Sequence, residues 1–144
     1  MKIYVSKKSF KKKGSSGSYG TYIPLTKEKG VKIVKRKALA IKEGRLLKKA
    51  NELPFTPRFF CVVEVFIKGS KRKYFGILQE HIEGKRVEDC NKTDRIFRDF
   101  QKQLLKIGID YTDTNPKNIL ITKEDTPILI DFTPGWTNHA HKTN

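Results

Sequence analysis

Asp110 to Gly135 reads DYTDTNPKNILITKEDTPILIDFTPG, and this stretch decides the fold class. It sets Asp113 and Asn118 in a D-x-x-x-x-N loop, followed by a short β-rich run from Asn118 to Thr122. A turn and a second apolar run, Pro127 to Ile130, then deliver Asp131 and Phe132. The two runs predict a β-hairpin that carries two carboxylates and an amide at its ends. Such a set is what phosphoryl transfer needs: one carboxylate to orient an attacking hydroxyl, the amide and the other carboxylate to hold Mg²⁺. The plainer reading is a surface loop rich in Asp, Asn, Thr and Pro, which is ordinary turn chemistry. The ordered apolar runs Ile119-Leu120-Ile121 and Ile128-Leu129-Ile130 favour the first reading.

Working outward, the 144 residues suffice for one compact domain or two small lobes. Asp94 to Ile107 places Ile96, Phe97, Phe100, Leu104 and Ile107 on one helical face, with Gly108 as its end. Ala38 to Asn51 has a second helical pattern in Leu39, Ile41, Leu46, Leu47 and Ala50, with Pro54 beyond it. Phe59 to Ile67 and Tyr74 to Leu78 read as a hairpin, and Gln79 to Gly84 as a linker. Residues 3–25 alternate as two strands about the turn Gly14 to Gly20, and Val31 to Val34 is a further strand. The tail TNHAHKTN reads as frayed, so a metal-binding pair of His139 and His141 is not expected.

Charge is divided unevenly. Residues 1–75 hold 21 Lys and Arg against 4 Asp and Glu, and residues 76–144 hold 10 against 11. An N-terminal half of that sign suits an acidic protein surface, RNA or an anionic membrane face. The block Lys7, Lys8, Lys11, Lys12 and Lys13 is the densest part, and plain solvation of an exposed face explains it equally well. Cys61 and Cys90 provide neither a disulfide framework nor metal spacing. No signal peptide or membrane-spanning run is evident, which implies a cytoplasmic protein, with signal-less export as an effector left open.

Five segments, in order, resemble the protein-kinase superfamily over roughly residues 14–135. Gly17-Ser18-Tyr19-Gly20 resembles part of the glycine-rich loop, and Gly30-Val31-Lys32 resembles the Ala-x-Lys strand. Glu43-Gly-Arg-Leu-Leu-Lys-Lys-Ala resembles the E-A-R-L-L-x-x-A helix of small atypical kinases, such as the RIO and KEOPS-type kinases. Ile77 to Gly84 resembles the hinge, and Asp113 to Asp131 the catalytic and metal-binding loops.

The resemblance implies an α+β kinase-like fold: a five-stranded antiparallel N-lobe sheet with one helix over residues 1–80, a hinge at 81–84, and a truncated C-lobe of helix and β-hairpin over 85–144. It implies an ATP·Mg²⁺-dependent phosphotransferase acting on a Ser or Thr hydroxyl of a protein. Gly17 and Gly20 would approach the phosphates, with Gly30 in the small position over the adenine. Lys32, or the competing Lys35, would contact phosphates and pair with Glu43. Gln79 would be the gatekeeper, the backbones of Glu80 and Ile82 would bond the adenine edge, and His81 would be a wall residue. Leu120 would contact the nucleotide, Asp113 would be the catalytic carboxylate, and Asn118 and Asp131 would bind Mg²⁺.

Departures from the pattern matter. Tyr111-Thr112-Asp113 replaces His-Arg-Asp, and Asp131-Phe132-Thr133 replaces Asp-Phe-Gly. Only 13 residues follow Asp131, which leaves little room for an activation segment and fits effector-type minimal kinases of the OspG class. Thr133 resists the positive φ that glycine permits, so Asp131 is expected to be fixed rather than to flip. Two other readings stay open: a pseudokinase that binds nucleotide or a partner without catalysis, and a basic RNA-binding module.

Overall fold

A computed structural model describes residues 1–12 and 21–140. In chain order the elements are β1 (Lys2–Val5), α1 (Lys7–Lys12), β2 (Thr21–Pro24), β3 (Lys29–Val34), α2 (Lys37–Ala50), β4 (Phe59–Ile67) and β5 (Lys73–Glu80). There follow β6 (Lys85–Arg86), α3 (Cys90–Lys106), β7 (Ile109–Tyr111), a 3-10 turn at Pro116–Asn118, β8 (Ile119–Ile121), β9 (Pro127–Leu129) and β10 (Thr137–His139). The fold is α+β. The chain divides into two compact units, one of residues 1–44 with 59–81 and the other of residues 45–58 with 82–144.

The first unit is built on a five-stranded sheet in the order β1-β4-β5-β3-β2. It is mixed rather than antiparallel, because β1 runs parallel to β4, with Tyr4 opposite Phe66 and Val5 opposite Ile67. The expected pairing of two strands around a glycine turn within residues 3–25 is therefore overturned. β1 and β2 lie at opposite edges of the sheet, and α1 intervenes where none was expected. A parallel neighbour cannot be joined by a tight turn, so β1 takes a partner some sixty residues away. Gly17 and Gly20 fall outside the described residues. Strand alternation sends Val5, Ile23, Val31, Ile33, Val63, Val65 and Leu78 into one core. Phe10 of α1 and Tyr74 pack against it, with ring centres 5.7 Å apart. Cys61 also packs there, as its apolar setting predicts.

In the second unit α3 begins at Cys90, four residues before the predicted start. Asp89 caps it, its carboxylate accepting the N–H groups of Asn91 and Lys92. The helix buries Thr93, Phe97, Phe100 and Leu104, and Phe55 stacks on Phe100 at 3.9 Å between centres. β8 and β9 form the predicted hairpin, with Leu120 opposite Ile128, and β6 adds a third strand to it. The tail is less frayed than its composition suggests. Thr137 to His139 pair antiparallel with β7, and Thr137 is fully buried. His141 lies outside the described residues. Among the described residues, no helix is long and apolar enough to cross a membrane.

Candidate functional site

In the sequence KGVKIV of β3, strand alternation sends Val31 and Ile33 into the core and puts Gly30, Lys32 and the buried Val34 on the opposite face. On that face Lys32 Nζ lies 3.0 Å from Glu43 Oε1 of α2, and the two side chains are only 13% and 5% exposed. Glu43 is the only acid between Lys29 and Ala50, so the pairing follows from composition once strand and helix are placed. Lys35 lies beyond the strand end and is exposed. A carboxylate as buried as Glu43 is stable only when it is paired.

Gly30 has a more surprising neighbour. It stands opposite Gln79 in the β3–β5 ladder and Pro24 in the β2–β3 ladder. A Cβ added at Gly30 would lie 1.9 Å from the Tyr22 hydroxyl oxygen and 2.4 Å from the ring carbon bearing it. The phenol of Tyr22 thus occupies the recess that the absent side chain leaves. It is hydrogen-bonded to His81 Nδ1 at 2.7 Å, with the two rings stacked at 5.7 Å. Burial pushes the Tyr22 phenol up to about 12. His81 is placed there by the end of β5, where its N–H donates to the carbonyl of Glu28. Gln79 is buried, Glu80 stands opposite Lys29, and Ile82 belongs to the second unit. Reading the glycine as an open slot missed Tyr22. The signal was the bulky Tyr22-Ile23-Pro24 strand preceding the glycine, but its register cannot be seen before the strands are paired.

In the second unit the hairpin brings the segments bearing Asn118 and Asp131 side by side, because Ile130 N–H donates to the carbonyl of Asn118 at 2.8 Å. Asn115 caps the 3-10 turn that leads into β8, accepting from Lys117 N–H. Asn118 is buried, and its Nδ2 donates to the carbonyl of Asp113 at 3.1 Å and to the Tyr111 hydroxyl at 3.2 Å. A carbonyl accepts and cannot donate, so the amide orientation is fixed by chemistry. Its Oδ1 takes no hydrogen bond among the described residues. Tyr111 therefore helps to orient the amide. It is itself held between Phe97 and Phe132, whose ring centres lie 6.3 and 5.7 Å away.

Asp131 is fixed by its own turn. Both the N–H and the hydroxyl of Thr133 donate to Asp131 Oδ1, the former at 2.9 Å. Among the described residues, Asp125 is the only non-glycine with positive φ, so Thr133 carries no such strain. Asp113 is half-buried, and Leu120 is half-buried on β8. Among the described residues no cluster of three or more His, Cys, Asp or Glu could hold a metal. An amide oxygen and a carboxylate nevertheless suit Mg²⁺, which takes one or two protein oxygens and completes its shell with phosphates and water. The predicted residues divide between the units: Gly30, Lys32, Glu43 and Glu80 belong to the first, Asp113, Asn118, Leu120 and Asp131 to the second. Comparison with protein families and with curated proteins returns no match.

Proposed function

We propose that the chain is a minimal kinase-like phosphotransferase using ATP·Mg²⁺. The observation that carries this reading is the buried Lys32–Glu43 pair on the sheet face that also carries Gly30. A buried ion pair adds little stability over apolar residues of the same volume, so a second use for the Lys32 ammonium accounts for its presence. Lys32 would neutralise phosphate charge, held in position by Glu43. Asp113 would accept a hydrogen bond from the attacking Ser or Thr hydroxyl of a protein substrate. Asn118 and Asp131 would hold Mg²⁺, which supplies neutralisation of charge on the transferred phosphoryl group. Thr133 and Tyr111 act through these two, as positioning residues. The reading fits a cytoplasmic location, where ATP and Mg²⁺ are supplied and where Cys61 and Cys90 remain free thiols.

Millimolar ATP·Mg²⁺ should raise the melting temperature, since a ligand bound only to the folded state stabilises it by about 2.7 kcal/mol at a hundred times its Kd. Asp131→Ala should reduce that shift. A wild-type protein with no shift at millimolar ATP·Mg²⁺ ends the nucleotide reading.

Asp113→Asn should keep the ATP-dependent shift and lose about 10²- to 10⁴-fold in phosphate transfer, the usual contribution of a general base. Labelled-phosphate incorporation measures this. Equal background incorporation by wild type and variant would favour a non-catalytic module. One observation supports that second reading: the Tyr22 ring covers Gly30, where the adenine would otherwise lie.

A further inference from the structure

We infer that the outer edge of β1 takes up an extended acidic segment of a partner protein as a further strand of the sheet. The site lies wholly in the first unit and does not depend on the phosphotransferase reading. β1 has β4 as its only neighbour among the described residues. In that parallel ladder Glu64 N–H donates to the carbonyl of Met1 at 3.1 Å, and Lys68 N–H to that of Val5 at 2.9 Å. Backbone groups alternate in direction along a strand, so Met1, Ile3 and Val5 turn theirs toward β4. The N–H and carbonyl groups of Lys2 and Tyr4 therefore point away from the sheet. Both residues are exposed, Tyr4 by 76%. The opposite edge is blunted. There Leu25 N–H bonds the Lys29 carbonyl, which turns Tyr22 and Pro24 outward on β2, and Pro24 has no N–H to give. β1 carries no proline.

Two cross-strand rows define what the added strand must carry. Ile3 and Val5 turn toward the core, so Lys2 and Tyr4 share the other face. One row on that face runs Lys73, Phe66, Tyr4, with the Tyr4 ring stacked on Phe66 at 5.4 Å between centres. The other runs Phe75, Glu64, Lys2. Glu64 is bonded to Lys73 at 3.0 Å, which together with the Lys2 charge holds its carboxyl below the usual range. Lys2 Nζ lies 5.8 Å from the Phe66 ring centre, and Lys37 lines the same depression of about 390 Å³ as Lys2 and Glu64. Neither Lys2 nor Lys37 forms an ion pair among the described residues. An added strand places one residue beside Tyr4 and another, two positions away, beside Lys2. A ring suits the first, where it continues the aromatic row, and a carboxylate suits the second. In the antiparallel sense, the more stable pairing, the segment reads aromatic, apolar, acidic, with its middle residue beside Ile3. A second copy of this chain is the poorer occupant, because each copy carries a net charge of +16. Lys2 thus blunts the edge against self-pairing and selects an acid in the same position.

The test is fluorescence anisotropy of the labelled peptide Ser-Glu-Thr-Phe-Val-Glu-Thr-Glu-Ser, with the full chain titrated into the high micromolar range. Saturable binding is expected. Two further peptides carry a single backbone N-methyl group and probe the edge of the unaltered protein. Methylation of the Phe removes the N–H that meets Tyr4 and should weaken binding about tenfold or more. Methylation of the Val, whose N–H points away from β1, should leave affinity unchanged. On the protein side, Tyr4→Pro removes the outward N–H and spares the bonds of β1 to β4. It should bind about tenfold more weakly than Tyr4→Ala, which removes the ring alone, and equal melting temperatures of the two show an intact ladder. Lys2→Gln should weaken binding about two- to fivefold, as loss of an exposed ion pair does. Equal binding of the two methylated peptides makes the contact merely electrostatic and overturns the added strand. Absence of saturable binding overturns the inference outright. A peptide-free dimer in sedimentation, dissociated by Tyr4→Pro, gives the edge to a second copy instead.

Discussion

Glu43→Ala is expected to cost about 3–5 kcal/mol of folding stability, the usual penalty for removing one member of a buried ion pair. The Lys32 ammonium, only 13% exposed, would lose the carboxylate that lies 3.0 Å from it. The informative companion is the double variant Lys32→Met with Glu43→Leu. Removing both charges and keeping the volume should return stability to near the wild-type value, because the desolvation of both ions disappears together with their attraction. Urea unfolding measures both. If the pair exists to serve phosphates, the stable double variant should show no ATP·Mg²⁺-dependent rise in melting temperature. Should it respond to ATP·Mg²⁺ as the wild type does, the pair is a device of the fold and the nucleotide proposal loses its principal support.

The second large effect is expected at Tyr22. Under the proposed function the adenine must lie over Gly30, where the phenol now sits hydrogen-bonded to His81. Vacating the recess breaks that bond and exposes ring surface. Nucleotide affinity is then reduced by the fraction of molecules in which the recess is open. Tyr22→Ala should tighten ATP binding by about tenfold or more, corresponding to about 1.4 kcal/mol released from the closed state. Inorganic tripolyphosphate, which has no base to place, should bind both proteins alike. Weaker ATP binding by Tyr22→Ala would instead make the ring a surface on which the base stacks. The phenol also gives a readout without any nucleotide. Its ionisation, raised to about 12, should appear as a late step in an absorbance titration and vanish in Tyr22→Phe. Since the folded value lies above the ordinary 10, this group's contribution to stability is complete below pH 10 and is lost as pH rises toward 12. Gly30→Ala should bring that titration back toward 10, because a methyl group 1.9 Å from the hydroxyl must dislodge the ring.

Local patterns were legible in the sequence where they had a period to follow. β4 matches its predicted span, and α2 lies within one residue of its own at each end. The hairpin that joins Asn118 to Asp131 was readable because two apolar runs flank a polar turn. Glu43 was readable as the partner of a strand lysine because no other acid competes nearby. What escaped was long-range or depended on register. α1 offers Phe10 as its only apolar residue, too little for a periodic signal. β10 is polar throughout, and its strand state comes from pairing with β7. The placement of Tyr22 over Gly30 follows from β2 facing β3 with Tyr22 opposite Lys32 and Pro24 opposite Gly30, a register that composition does not disclose. Tyr111 read as a lost histidine, and only the folded chain gives its hydroxyl to Asn118.

The parallel placement of β1 has a consequence for how the protein is made. At about 5–20 residues per second, a ribosome finishes β4 roughly 3–12 s after β1 has been synthesised. During that interval Lys2 to Val5 have no partner strand, and Ile3, Tyr4 and Val5 are a short adhesive segment in a crowd of other nascent chains. Lys7 and Lys8 follow immediately, and like charges beside such a segment keep copies of it apart. The basic start of the chain thus guards its own first strand until the sheet is ready to receive it.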